Sequence, residues 1–202
     1  MLLENVMSSK TGVRLLRIFH QFPGRIFSLS DITKITGQST GAVYPALKKL
    51  VDSGIVKASK IGKSTAYRLN MENPLAKKTM EIFSAEREML RGIAQEFANN
   101  VDKKNIVSIV LFGSVARGEP KETSDIDLLV VFSKNRDVVE SNVNKLAEKY
   151  LDLDIRLAPV FYSEREIIDM ATHYNNFIIN VEKEGIVLYG KTIRGIHGKT
   201  AE

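Results

Sequence analysis

The 202-residue sequence is 44% hydrophobic with a net charge of +5, enough apolar content for a buried core and enough length for two small domains. It has no cysteine and three scattered histidines, which excludes disulfides and thiolate metal sites and argues against a histidine-built zinc centre. No apolar run is long enough to span a membrane and no signal-peptide pattern is seen, so the expected compartment is the cytoplasm, with no membrane partner. The charge is unevenly placed. Residues 1–70 hold eleven Lys/Arg against three Asp/Glu, a balance of +8, whereas residues 106–202 hold twelve against fifteen, or −3. A basic N-terminal module points to a polyanion partner, and an acidic C-terminal one to a metal-dependent site.

In chain order, residues 11–22 place Val13, Leu16, Phe19 and His20 at helical spacing, and Pro23-Gly24 stops that helix. Ser30 or Asp31 is expected to cap a second short helix closed by Gly37. Ser39 or Thr40 opens a third helix through Tyr44, Leu47, Leu50 and Val51, with Pro45 near its first turn, where a missing amide costs least. Ile55-Val56-Lys57 and Thr65 to Leu69 read as two strands around an Ile61-Gly62-Lys63-Ser64 turn. Three helices followed by a basic hairpin predict a winged helix-turn-helix over residues 1–71. In that arrangement Gln38, Ser39, Thr40, Tyr44 and Lys48 face the major groove of double-stranded DNA, while Lys57, Lys60, Lys63 and Arg68 lie along the wing and its phosphates.

Asn73-Pro74 starts a long helix to about Asn99, with an apolar stripe of Leu75, Ile82, Met89, Leu90, Ile93 and Phe97. Residues 72–104 are therefore expected to link the domains, to pair in a homodimer, or both. Next come an apolar, β-branched run, Ile106–Phe112, a Gly113-Ser114 turn, and a second apolar run that opens with Asp125 and Asp127. Residues i and i+2 of a strand share a face, so these carboxylates project together and can share Mg2+ bound to a nucleoside triphosphate. Gly113 lets the backbone approach a phosphate, and Ser114 with the amides after it can donate to the phosphate oxygens. Val138 to Tyr150 reads as an amphipathic helix with Val139, Val143, Leu146 and Ala147 inward, and Leu151 to Phe161 as a third strand carrying Asp152, Asp154 and Arg156 on one face. Residues 163–184 read as helical, opened by a Ser163/Glu166 capping box, with Tyr174, Phe177, Ile178 and Val181 on the apolar face. A closing strand ends near Gly190, and the tail 191–202 is expected to be flexible.

Gly113-Ser114, Ala116-Arg117-Gly118 and Ser124-Asp125-Ile126-Asp127-Leu128 together resemble the signature of the DNA polymerase β-like nucleotidyltransferase superfamily, above all its minimal archaeal and bacterial members. The resemblance implies an α+β nucleotidyltransferase fold over residues 105–190, a mixed sheet with flanking helices. It implies nucleotide binding by Gly113, Ser114, Arg117 and Ser124, and Mg2+ (two ions, with Mn2+ as a substitute) held by Asp125, Asp127 and a third carboxylate on the neighbouring strand. Asp154 fits that third place, and Asp152 is the alternative. The stretch from Val43 to Val56 is similar to the recognition helix and wing entry of PadR and MarR regulators.

These readings imply a metal-dependent enzyme moving a nucleoside monophosphate from an NTP, ATP foremost, to an acceptor hydroxyl, with the winged helix on DNA. By resemblance, minimal nucleotidyltransferases often act as antitoxins, some modifying a helical HEPN partner. The alternative is a DNA-binding regulator whose second domain senses nucleotide without turnover.

Overall fold

The structure, a computed structural model, describes residues 7, 9–118, 125–153 and 155–198. The chain divides into two compact units, Met1–Glu86 and Arg87–Glu202.

In the first unit, helix α1 (Lys10–Gln21) is opened by Ser9, whose hydroxyl accepts from the Gly12 amide at 3.1 Å. It buries Leu15, Leu16, Ile18 and Phe19. A two-residue strand β1 (Phe27–Ser28) leads into α2 (Leu29–Thr36). The cap is Ser28 and not Ser30 or Asp31: its hydroxyl accepts from the Asp31 amide while the Asp31 carboxylate accepts from the Ser28 amide, two otherwise orphaned donors satisfied at once. Helix α3 (Thr40–Asp52) buries Val43, Ala46, Leu47 and Leu50. Pro45 stands inside α3, beyond its first turn; the amide it lacks leaves a carbonyl free at exposed Gly41, where water can serve it. Strands β2 (Val56–Ile61) and β3 (Ser64–Leu69) form the hairpin, and the sheet runs β1-β3-β2, antiparallel throughout. This is a winged helix-turn-helix.

Helix α4 (Pro74–Asn100) starts with the Asn73 side chain accepting from the Leu75 and Ala76 amides, and with Pro74 in the first helical position. Its buried stripe keeps Leu75, Leu90, Ile93 and Phe97 of the expected one and departs from it at Ile82 and Met89. Ala76, Met80, Phe83, Leu90, Ala94, Phe97 and, just past the helix end, Val101 pack into the cores, whereas Ile82 and Met89 are more than half exposed. Buried alanines (Ala76, Ala94, Ala98) form part of the packed face, so counting large side chains alone misplaces the stripe in part.

In the second unit, β4 (Ile106–Phe112), α5 (Gly113–Arg117), β5 (Ile126–Phe132), α6 (Arg136–Leu151), β6 (Leu157–Ser163), α7 (Glu164–Thr172), α8 (Asn176–Glu184), β7 (Ile186–Gly190) and α9 (Ile193–His197) follow. The sheet order is β6-β5-β4-β7. β4 is antiparallel to both β5 and β7, and β6 is parallel to β5 through the α6 crossover. One face, carrying Ile126, Leu128 and Val130, packs on α4 and α6. The other, carrying Val110, Leu129 and Val131, packs on α7, α8 and α9. A sheet covered on both sides explains why β4 and β5 read as unbroken apolar runs.

Three expectations are corrected here. The third strand begins at Leu157, because α6 runs to Leu151 and the Leu153 and Ile155 amides both return to the Tyr150 carbonyl. Residues 163–184 are two helices: Asn175 caps α8 by accepting from the Phe177 amide at 2.9 Å, and Tyr174, at φ +52°, is exposed at the break. The segment after Gly190 carries α9, capped by Thr192 and anchored by buried Ile193 and by His197 on Glu182.

His20 is a half-buried polar side chain at the edge of the first core, beside buried Thr79. Its Nε2 lies 2.8 Å from Thr79 Oγ, whose own hydroxyl donates to the Ala76 carbonyl, so Nε2 carries the proton. Nδ1 is buried with no hydrogen-bond partner among the described residues, and the ring packs on Phe83. Burial holds the imidazole neutral, with its pKa lowered to about 4. The unfolded chain takes up this proton near the ordinary value of about 6.5. Stability therefore rises with pH between about 4 and 6.5 and is lost as pH falls through that window. The melting temperature of wild type relative to His20→Gln is expected to drop by a few degrees from pH 6.5 to 4.5; parallel curves would mean that His20 carries no such coupling.

Candidate active site

The site grows from one register. Phe112, the last residue of β4, pairs with Asp127 near the start of β5. The chain then turns at Gly113, in the left-handed region at φ +72°. A β-carbon there would fall 2.0 Å from Asp127 Oδ2, so no side chain fits unless that carboxylate moves. An alanine would also bear about 1–2 kcal/mol of left-handed backbone strain. The five-residue helix α5 follows at once, with Val115 and Ala116 buried, Ser114 half-buried and Gly118 closing it at φ +76°.

Asp125 and Asp127 lie two residues apart on the face of β5 that continues into Leu129 and Val131. They are in different situations. Asp125 Oδ2 is 3.7 Å from the Arg156 guanidinium just ahead of β6, and the Ile126 amide donates to the Arg156 carbonyl at 2.9 Å. The Asp127 carboxyl is pushed above the usual carboxylate range, chiefly by burial and then by the charge of Asp125, with Arg117 opposing. Two carboxylates on one face, one of them costly to ionise, make a donor set suited to a hard divalent cation. Arg117, at the far end of α5, donates to Glu184 of α8 at 3.2 Å.

Of the other expected residues, Asp152 is the exposed C-cap of α6 and not part of a strand. Ser124 and Asp154 lie outside the described residues, and among those described no group of three His, Asp or Glu side chains comes together. Arg156 and Glu184 are partners that spacing alone does not single out. Each comes from a different element and meets the site only after the sheet forms.

On the winged helix, Ser39, Thr40, Tyr44 and Lys48 all stand on the exposed side of α3, and Lys60 and Lys63 flank the exposed hairpin turn. Gln38 is half-buried, and its side-chain oxygen is buried with no partner among the described residues. Lys57 is paired with Glu72 and, with Ile26, Tyr67 and Arg68, lines a groove of about 480 Å³ between the hairpin and the end of α3.

The family model described as "Polymerase beta, Nucleotidyltransferase" matches residues 93–194, half of the chain. The "Putative protein adenylyltransferase MJ0141" of Methanocaldococcus jannaschii is 30% identical over 109 residues, covering 53% of this chain and 98% of that protein. A second protein of that organism, "Putative protein adenylyltransferase MJ0604", is 38% identical over 98 residues, covering 47% of this chain and 93% of its own. Among solved structures, the AntR antimony-specific transcriptional repressor has 23% identity over 45% of this chain and 78% of its own, with a TM-score of 0.38.

Because the folded state raises the Asp127 pKa, the group adds stability only while protonated; that contribution is lost as pH rises through the folded value, and at neutral pH its ionised form is a cost. In EDTA at neutral pH, Asp127→Asn is expected to melt above wild type. Mg2+ is expected to raise the wild-type melting temperature and leave that of Asp127→Asn unmoved. An equal Mg2+ response in both proteins would count against the carboxylate pair as a cation site.

Proposed function

The chain belongs to the polymerase β nucleotidyltransferase family, and from that membership we propose that it transfers a nucleoside monophosphate from ATP to a hydroxyl on a protein, while its winged helix holds double-stranded DNA. The observation that carries the catalytic half is the Gly113–Asp127 contact beside Asp125, a glycine turn pressed against paired carboxylates. ATP and a protein acceptor are favoured by the names of the relatives, which describe protein adenylyltransferases.

In this reading the triphosphate lies beside the Gly113 backbone, and Ser114 with the first amides of α5 donates to it. Asp125 and Asp127 hold Mg2+, which when bound neutralises phosphate charge and polarises the α-phosphorus. Arg117, steadied by Glu184, adds positive charge at the far end of α5. Asp154, two residues ahead of the arginine that reaches Asp125, serves as the third carboxylate and takes the proton of the acceptor hydroxyl. The hydroxyl oxygen bonds to the α-phosphorus, the bond from that phosphorus to its β-bridging oxygen breaks, and pyrophosphate leaves. Positioning and charge neutralisation account for most of the rate. A helical HEPN-type protein as acceptor would make the chain an antitoxin-type regulator, a role in keeping with a module that binds DNA.

Purified protein incubated with α-labelled ATP, Mg2+ and a host lysate is expected to label a discrete protein, and Asp125→Ala/Asp127→Ala is expected to lose the label by at least about a hundredfold. Nucleotide binding without any label would replace transfer by nucleotide sensing. For the winged helix, replacing Lys48, Lys60 and Lys63 together by alanine is expected to weaken duplex DNA binding and to shallow its dependence on log salt by about 1 for each phosphate no longer neutralised. An unaltered slope would remove these lysines from the interface.

A further inference from the structure

The apolar stripe of α4 is interrupted by a charge. Between Phe83 and Leu90 the three-and-four spacing falls on Arg87, where an apolar residue would continue the series. Arg91 stands one turn further on, on the same side. Both guanidinium groups reach the turn that holds the proposed nucleotide: Arg91 Nη2 donates to the Ala116 carbonyl at 2.6 Å and Arg87 Nη1 to the Gly118 carbonyl at 3.4 Å. The approach is close, because a β-carbon on Gly118 would meet Arg87 Nη1 at 3.2 Å.

A five-residue helix does not hold itself, since forming its first turn fixes several residues for one hydrogen bond. The Gly118 amide caps the Ser114 and Val115 carbonyls, which leaves the Ala116 carbonyl and those after it as the uncapped negative end of the helix. Two cations placed there satisfy both needs. Glu184 holds Arg117 from α8, so α5 is fixed from two elements.

We infer that Arg91, with Arg87, is a positioning residue of the nucleotide site: the pair clamps the carbonyl end of α5, so that Gly113, Ser114 and the first amides stay aimed at the triphosphate. Both arginines stand on α4, just before residue 93, where the family match begins. The inference rests on the nucleotide reading of the site, and its test separates the two.

Hydrogen exchange of the 115–118 amides is measured in wild type, Arg91→Ala and Arg91→Lys without ligand, and α,β-methylene-ATP with Mg2+ is titrated into each. A charge-assisted bond of this kind predicts that Arg91→Ala speeds exchange of these amides by about tenfold and weakens the analogue by a similar factor. The β4 amides and the melting temperature should stay unchanged. Arg91→Lys, which keeps a cationic donor, is expected to recover part of both effects. Unchanged exchange in Arg91→Ala overturns the clamp whatever the titration gives, and weakened binding with unchanged exchange would make Arg91 a direct phosphate contact instead. Should Arg91→Ala fail to fold, Arg91→Lys and Arg87→Ala carry the same comparison. A wild type that binds no analogue would remove the nucleotide reading, and the exchange rates would still decide the clamp.

Discussion

The site depends on the absence of one carbon atom. At the end of β4 the backbone must leave the sheet directly over the Asp127 carboxylate, and a β-carbon at Gly113 would stand 2.0 Å from that oxygen. The same residue must also take φ +72°, which side chains resist. Steric and conformational demands therefore select glycine independently. Because the first residue of α5 is this glycine, the direction of the helix, the place of Ser114 and the distance from turn to carboxylates are all set by one close approach.

What keeps that approach in register is the sheet, not the turn. Asp127 is opposite Phe112 only because β4 and β5 pair in a single alignment, and each strand is apolar on both faces. Slipping by one residue would send Asp125 and Asp127 into the core against α4 and α6 and bring Ile126 and Leu128 to the other face, an error costly enough to specify the register strongly. The two cores thus supply precision at the mouth of the site although none of their side chains does chemistry. Phe112 extends the arrangement by packing edge-on against Phe177 of α8, so that α8 supports both the strand end and, through Glu184, Arg117.

The legible parts of this design are those whose cause is local. Unbroken β-branched runs gave β4 and β5, the glycine and the two aspartates lie within fifteen residues of one another, and Ser163 with Glu166 announced the start of α7 by a reciprocal pair of hydrogen bonds. The misreadings have a common origin in packing. On α4, Ala76, Ala94 and Ala98 are buried while Ile82 and Met89 face outward, so side-chain size misleads about which face meets the core. Ser28 outcompetes Ser30 as a cap because Asp31 is the correct distance from it to answer. Asn175 divides a stretch that hydrophobic spacing alone joins, and Ile193 anchors a helix in a segment whose glycines and lysines read as a tail. Arg156 and Glu184 carry no local signal, since each finds its partner across a long interval of sequence.

The two carboxylates of β5 show how a site can be stable and still unsatisfied. Asp125 has Arg156 beside it, more exposed and free to adapt, so its charge is met in part by the protein. Asp127 is more enclosed, sits next to a like charge and, among the described residues, is helped only by the opposing field of Arg117, which leaves its ionised form under-compensated there. Replacing Gly113 by a larger residue would relieve nothing, because it would press on the same oxygen. Bringing in a second guanidinium would satisfy Asp127 and remove its need for an external cation. A fold selected for stability alone would have taken that course. That this one keeps an enclosed carboxylate short of positive charge among the described residues, pressed against a glycine that admits it, is the physical reason to read the pair as a place where charge arrives from outside the chain.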